Sequence, residues 1–176
     1  MRKMIIATAA SLLVGGAGVL ALATPAFAAG TPVTVTINAG GGLGISAPVG
    51  PVSLGTATAS ASAQTVTGSL GPVLVTDLRA GILGWVATAG STDFTGPAGP
   101  TISAATMTYT PGTAVVVGLA TVTPTSLTAM GTPGTVQTAT AVTGVNTATW
   151  NPSIGVLIPA GALAGSYSAT ITHSVS

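Results

Sequence analysis

Aliphatic and hydroxyl side chains take turns along this chain, as in Val33-Thr34-Val35-Thr36-Ile37, and that alternation constrains its fold more than any other feature. Successive side chains of an extended strand point to opposite faces. A period of two therefore lays Val33, Val35 and Ile37 on one side and the threonines on the other. The same reading predicts strands at Thr65-Val66-Thr67, Val73-Leu74-Val75, residues 102–109, Val115-Val116-Val117 and residues 167–175. Val, Ile and Thr dominate these runs, and branching at Cβ suits a pleated surface. Residues 56–63, Thr-Ala-Thr-Ala-Ser-Ala-Ser-Ala, also read as a strand, because their small/hydroxyl alternation outweighs their alanine content.

Turn signals separate these runs: Asn38-Ala39-Gly40-Gly41-Gly42, Gly50-Pro51, Gly71-Pro72, Gly96-Pro97, Pro111-Gly112, Pro133-Gly134 and Pro159-Ala160-Gly161. Their spacing leaves room for one strand at a time rather than for βαβ units. The expectation is an all-β chain forming a single antiparallel β-sandwich of immunoglobulin-like type, with a barrel as the alternative. A composition 47% hydrophobic and only 3% charged lies outside the disordered class. A domain of roughly 150 residues buries about 68–70% of its unfolded surface, enough for one core.

The N-terminus reads as a secretory signal over residues 1–28. Arg2 and Lys3 precede an apolar run from Met4 to about Ala23, then Pro25 and a small-x-small site at Ala26-Phe27-Ala28. A membrane anchor is the weaker reading, since Gly15, Gly16 and Gly18 dilute the run and no charge follows to stop transfer. Residues 29–176 then form the β-sandwich domain, with no later segment apolar enough to span a bilayer. Without cysteine, neither a disulfide framework nor a lipid-modified thiol is available. The end, Thr172-His173-Ser174-Val175-Ser176, lacks a covalent wall-sorting tail. The chain is expected to be secreted and extracellular, and any attachment to the cell must then be non-covalent.

Beyond the signal, the strong charges are Asp77, Arg79 and Asp93. Such a surface neither neutralises several phosphates nor attracts anionic lipid, which excludes nucleic-acid binding and membrane association after signal cleavage.

Reaction chemistry is equally short of parts. His173 is the sole candidate base, no nucleophile-elbow motif accompanies it, and a strand-end structural role is the stronger reading. Two aspartates are a poor start for a glycosidase, especially with Asp77 tied to Arg79. One histidine and no cysteine exclude a closed zinc site, and Asp93 with Asn151 offers at most a weak calcium site without regular loop spacing. Gly40-Gly41-Gly42-Leu43-Gly44 matches a phosphate loop only in glycine content. No catalytic residue, cofactor or metal is therefore expected. What remains is a binding or structural cluster: Asp77 and Arg79 at i and i+2 on one strand face, Trp85 six residues on, and Trp150. Core packing is favoured over sugar stacking for both tryptophans.

The stretch Val75-Thr76-Asp77-Leu78-Arg79-Ala80-Gly81-Ile82-Leu83-Gly84-Trp85-Val86-Ala87-Thr88 resembles the WxL-domain surface proteins of Gram-positive bacteria, which carry Asp-x-Arg, a glycine-containing spacer and a Gly-Trp leading into a strand. Ile158-Pro159-Ala160-Gly161 and Ala164-Gly165-Ser166-Tyr167-Ser168-Ala169-Thr170-Ile171-Thr172 are similar to that domain's last turn and closing strand. The family's Trp-x-Leu is Trp85-Val86-Ala87 here, and Thr172-His173-Ser174 stands where the second copy is expected. The resemblance implies a β-sandwich attached non-covalently to peptidoglycan, and the Ala/Gly/Thr-rich composition suggests an actinobacterial setting. The leading expectation is a secreted, non-catalytic cell-surface protein that binds a wall polymer or another surface protein. The alternative is a self-assembling subunit of a surface layer or fibre, permitted by low charge and by strands at both ends of the mature chain. A secreted hydrolase ranks last.

Overall fold

The structure is a computed structural model that describes residues 33–97 and 99–176; the signal expected over residues 1–28 lies outside them. Residues 33–36 are extended and exposed. Residues 37–176 form a compact unit. Its strands are β1 (Leu43–Ser46), β2 (Gln64–Ser69), β3 (Val73–Gly81), β4 (Trp85–Ser91), β5 (Thr108–Thr110), β6 (Val115–Pro124), β7 (Gly134–Trp150), β8 (Ser153–Ile158) and β9 (Ile171–Val175). All pairings are antiparallel, and the described residues contain no α-helix. The all-β expectation holds.

The larger sheet is organised by β7, whose 17 residues reach past two strands laid end to end. Along one edge β3 pairs with its C-terminal half, Val73 opposite Trp150 and Asp77 opposite Asn146. Further along, β4 pairs with its N-terminal half, Trp85 opposite Ala139 and Ala89 opposite Gly134. β6 lies on the other edge of β7, while β1 and β9 flank β3 and β4. The smaller sheet runs β2-β8-β5.

Period two decides what is buried. Val73, Val75 and Asp77 of β3, Trp85, Ala87 and Ala89 of β4, and Ala148 and Trp150 of β7 face inward. They meet Tyr109, Ile154 and Val156 from the smaller sheet, with Ile102, Met107 and Met130 filling the space between. Trp85, Trp150 and Tyr109 are the largest fully buried side chains. Each removes roughly 150–250 Å² from water, an upper value of about 4–6 kcal/mol at ~25 cal/mol per Å². In a core otherwise built from Val, Ala, Met and Ile, these three rings are the largest apolar contributors.

Three adjacent strands break their ladders at one level, creasing the large sheet. β3 loses register between Asp77 and Gly81, and β6 does so around Leu119. Ala80 and Ala141 adopt left-handed φ values of 54° and 50° beside the crease, each a strained conformation for a residue with a Cβ. Gly118, with φ 93°, lies against the Val145 carbonyl with no room for a side chain.

Some predicted strands are absent or shorter. Val33 to Ile37 has the right alternation but no partner strand among the described residues, and its apolar side chains are 87–88% exposed. Residues 56–63 run without a ladder, because alanine and serine are too small to anchor a second buried face. Nearby, Leu54 crosses over β2 so closely that a Cβ on Gly68 would collide with its backbone. Residues 102–109 are broken by a 3-10 turn over Ala104–Thr106, and β9 starts only at Ile171, after a single bridge between Ser168 and Thr95.

Gly118→Ala places a Cβ in a left-handed conformation against a carbonyl. Urea unfolding is expected to show a loss of more than about 1 kcal/mol, whereas the same change at Gly44, with open space around it, costs less.

Candidate functional site

The structure unites three of the four residues singled out in the sequence, and their role is internal. Arg79 grips Asp77 with both ends of its guanidinium, Nε to Oδ1 at 2.9 Å and a terminal nitrogen to Oδ2 at 2.9 Å. The Arg79 backbone N–H also donates to Oδ1. The same terminal nitrogen donates to the carbonyls of Leu83 and Gly84, at 3.1 and 3.0 Å, across the connection from β3 to β4. Behind the pair, Asn146 of β7 donates to Asp77 Oδ2 at 3.5 Å and accepts from the Trp85 indole N–H at 3.2 Å. The hydrogen bonds from Arg79 outweigh burial and hold the Asp77 carboxyl below its ordinary value, while Arg79 is raised above its own.

Asp77 and Trp85 are buried at 1% and 2% exposure, so neither presents a surface to a ligand. Asn146 had no signal in the sequence that set it apart from other polar residues. Its partnership depends on the β3–β7 register alone.

Trp150 belongs to a second buried relay. Its indole N–H donates to the Tyr109 hydroxyl at 3.0 Å, and that hydroxyl lies 3.0 Å from His173 Nε2. An indole only donates, which leaves the phenol proton for the imidazole. Burial, partly offset by the hydrogen bond from Trp150, pushes the Tyr109 phenol up to about 12. Burial also lowers His173 below its ordinary value. The relay ties β9 to β5 and β7. Asp93 is spent on structure as well, accepting from Ser103 Oγ and from the Ala104 backbone N–H at the start of the 3-10 turn. Asn151 lies at the β7–β8 connection, and no group of three metal-ligating side chains occurs among the described residues.

The feature with room for a ligand is a neutral cleft of about 910 Å³, within the range typical of binding sites. Phe94, Ile102, Met107, Val156 and Ile158 supply its apolar floor, and none of its lining residues is charged. One wall is the ladder-free segment after β1, held by Gln64 Nε2 donating to the Thr58 carbonyl at 2.7 Å. The other follows β8 and is joined to the first by Gly161 N–H donating to Ser60 O at 3.0 Å. There Tyr167 donates to the Leu163 carbonyl at 2.9 Å and packs its ring on Gly96. Phe94 and Tyr167 are the aromatics of this cleft; the sequence placed Tyr167 only at the start of a predicted strand and did not single out Phe94, because the walls come from segments about a hundred positions apart. No protein-family model, curated protein or solved structure matches this chain.

Arg79→Ala leaves Asp77 buried without its cation and frees the β3–β4 connection. A loss of about 2–4 kcal/mol is expected in chemical unfolding, the range for stranding one partner of a buried pair, reduced for the partial exposure of Arg79.

The acid limit of stability follows from two depressed values. His173 contributes fully above its ordinary 6.5 and its contribution is lost as pH falls through the lower folded value; Asp77 behaves in the same way below 3.8. The melting temperature should fall in two stages on acidification. His173→Gln should remove the first stage and leave the second.

Proposed function

We propose that this is a non-catalytic, secreted cell-surface protein that associates with the cell wall through a neutral binding cleft. The observation carrying this reading is the uncharged cleft, with an apolar floor and rims of hydroxyl and carbonyl groups. Such a lining suits the face of a neutral saccharide chain: ring carbons against Phe94 and Tyr167, hydroxyls against the rim. The committed use of Asp77, Arg79, Asp93 and His173 in internal contacts favours binding over catalysis. The signal-like N-terminus and the WxL resemblance favour the wall as the place of action. In that reading Trp85 contributes by holding the β3–β4 crease rather than by touching the polymer.

Incubation with purified peptidoglycan, against a charge-matched control β-domain, tests the proposal. Enrichment in the pellet is expected. Ala57→Glu, at an exposed position lining the cleft, should reduce retention about tenfold, since an unpaired carboxylate desolvated there costs at least ~1.4 kcal/mol. No enrichment of the unaltered protein removes the wall-binding claim.

A further inference from the structure

We infer that copies of this chain join head to tail, the segment Val33 to Ile37 of one copy adding as a strand to the open edge of β6 in the next. This goes beyond wall binding and does not depend on it.

β6 pairs with β7 and with no second strand among the described residues. Its residues Val115, Val117 and Leu119 are 66–71% exposed, the first two on one face of the strand ahead of the ladder shift. Sheet edges that must stay single usually carry lysine or another charge. β6 has none over its ten residues; a proline stands only at its far end, and the ladder shift falls at Leu119. The first stretch, Val115 to Gly118, keeps an unbroken ladder with β7 and is thus an uncharged template of four residues, ending where the register shifts.

The same chain holds a segment that fits it. Val33-Thr34-Val35-Thr36-Ile37 has the length, the period and the branched side chains of a strand, yet it has no partner strand among the described residues, where its three apolar residues are exposed. Two of these apolar residues at a time repeat the spacing of Val115 and Val117, so alternate pairs can cover one another while main-chain groups complete the ladder ahead of the shift at Gly118. Asn38-Ala39-Gly40-Gly41-Gly42 then tethers the segment to β1. Within one molecule, β3, β7 and β6 separate β1 from the free edge, so an added strand lies about 19 Å from β1, four strand spacings away. Six Cα steps reach at most ~20–22 Å, leaving an intramolecular return almost no slack. A second copy meets no such restriction.

Each chain offers one segment and one edge, which makes the contact heterologous and, unless a ring closes, the product a filament. Neither surface carries a charge, so assembly should persist at high salt.

The test uses the full chain secreted with its own leader. Sedimentation velocity should show mass rising with concentration, equally at low and high salt, and negative-stain microscopy should show linear filaments. Val35→Lys and Val117→Lys, both at exposed positions, should each abolish assembly while leaving the melting temperature and peptidoglycan retention unchanged. Because the natural chain has no cysteine, oxidation of a mixture of Val35→Cys and Val117→Cys chains reports the contact directly. A disulfide dimer should form in the mixture and far less in either variant alone. The inference is overturned by a single-chain mass at every concentration, by oligomers that both lysine variants leave intact, or by a Val35→Cys/Val117→Cys chain that closes on itself at high dilution. Wall retention is read separately, so either proposal can fail alone.

Discussion

The bidentate grip of Arg79 on Asp77 organises more of this molecule than any other single contact. Three strands of the large sheet abandon their ladders at one level, and the Asp77 carboxylate sits at that level facing the core. Removing a charge from water is expensive, and it is tolerated here because four donors converge on it: three from Arg79 and one from Asn146. The remaining Arg79 hydrogen bonds hold the Leu83 and Gly84 carbonyls, so the pair also determines how β3 hands over to β4. Trp85, the first residue of β4 and one of the largest buried rings, is oriented through Asn146 as a consequence.

This arrangement explains how so few titratable groups secure so much of the fold. Each is consumed at a junction that small aliphatic side chains cannot secure. Asp77 and Arg79 hold the crease, Asp93 begins the 3-10 turn, and His173 ends a relay through Tyr109 and Trp150 that fastens β9 to both sheets. Elsewhere the core is Val, Ala, Met and Ile, adaptable but nearly featureless, and a uniform core specifies register poorly. A few polar contacts in fixed geometry supply that specification.

Charge depletion shapes the surface too. With no ionic groups to spare, the cleft is neutral by necessity and β6 has no charged residue to discourage a neighbour. Recognition then rests on shape, hydroxyl groups and main-chain hydrogen bonding, all weakly sensitive to salt.

Alternation of Thr with Val and Ile determined locally that the chain would be all-β, and Gly-Pro punctuation pointed to antiparallel strands, though not to the 17 residues of β7. β2, β3 and β6 carry that signal because side-chain direction in a strand is a property of the backbone itself. The Asp77–Arg79 pairing was legible as well, since i and i+2 share a face. Only the tertiary structure decided which alternating runs found partners: Thr65-Val66-Thr67 did, and among the described residues Val33 to Ile37 did not, although both alternate valine with threonine. A strand exists through its neighbour, and neighbours here are as far apart in the chain as Gln64 and Ile158. For the same reason Asn146, the cleft between Phe94 and Tyr167, and the separation of Trp150 from Trp85 emerged only when distant segments were brought into register.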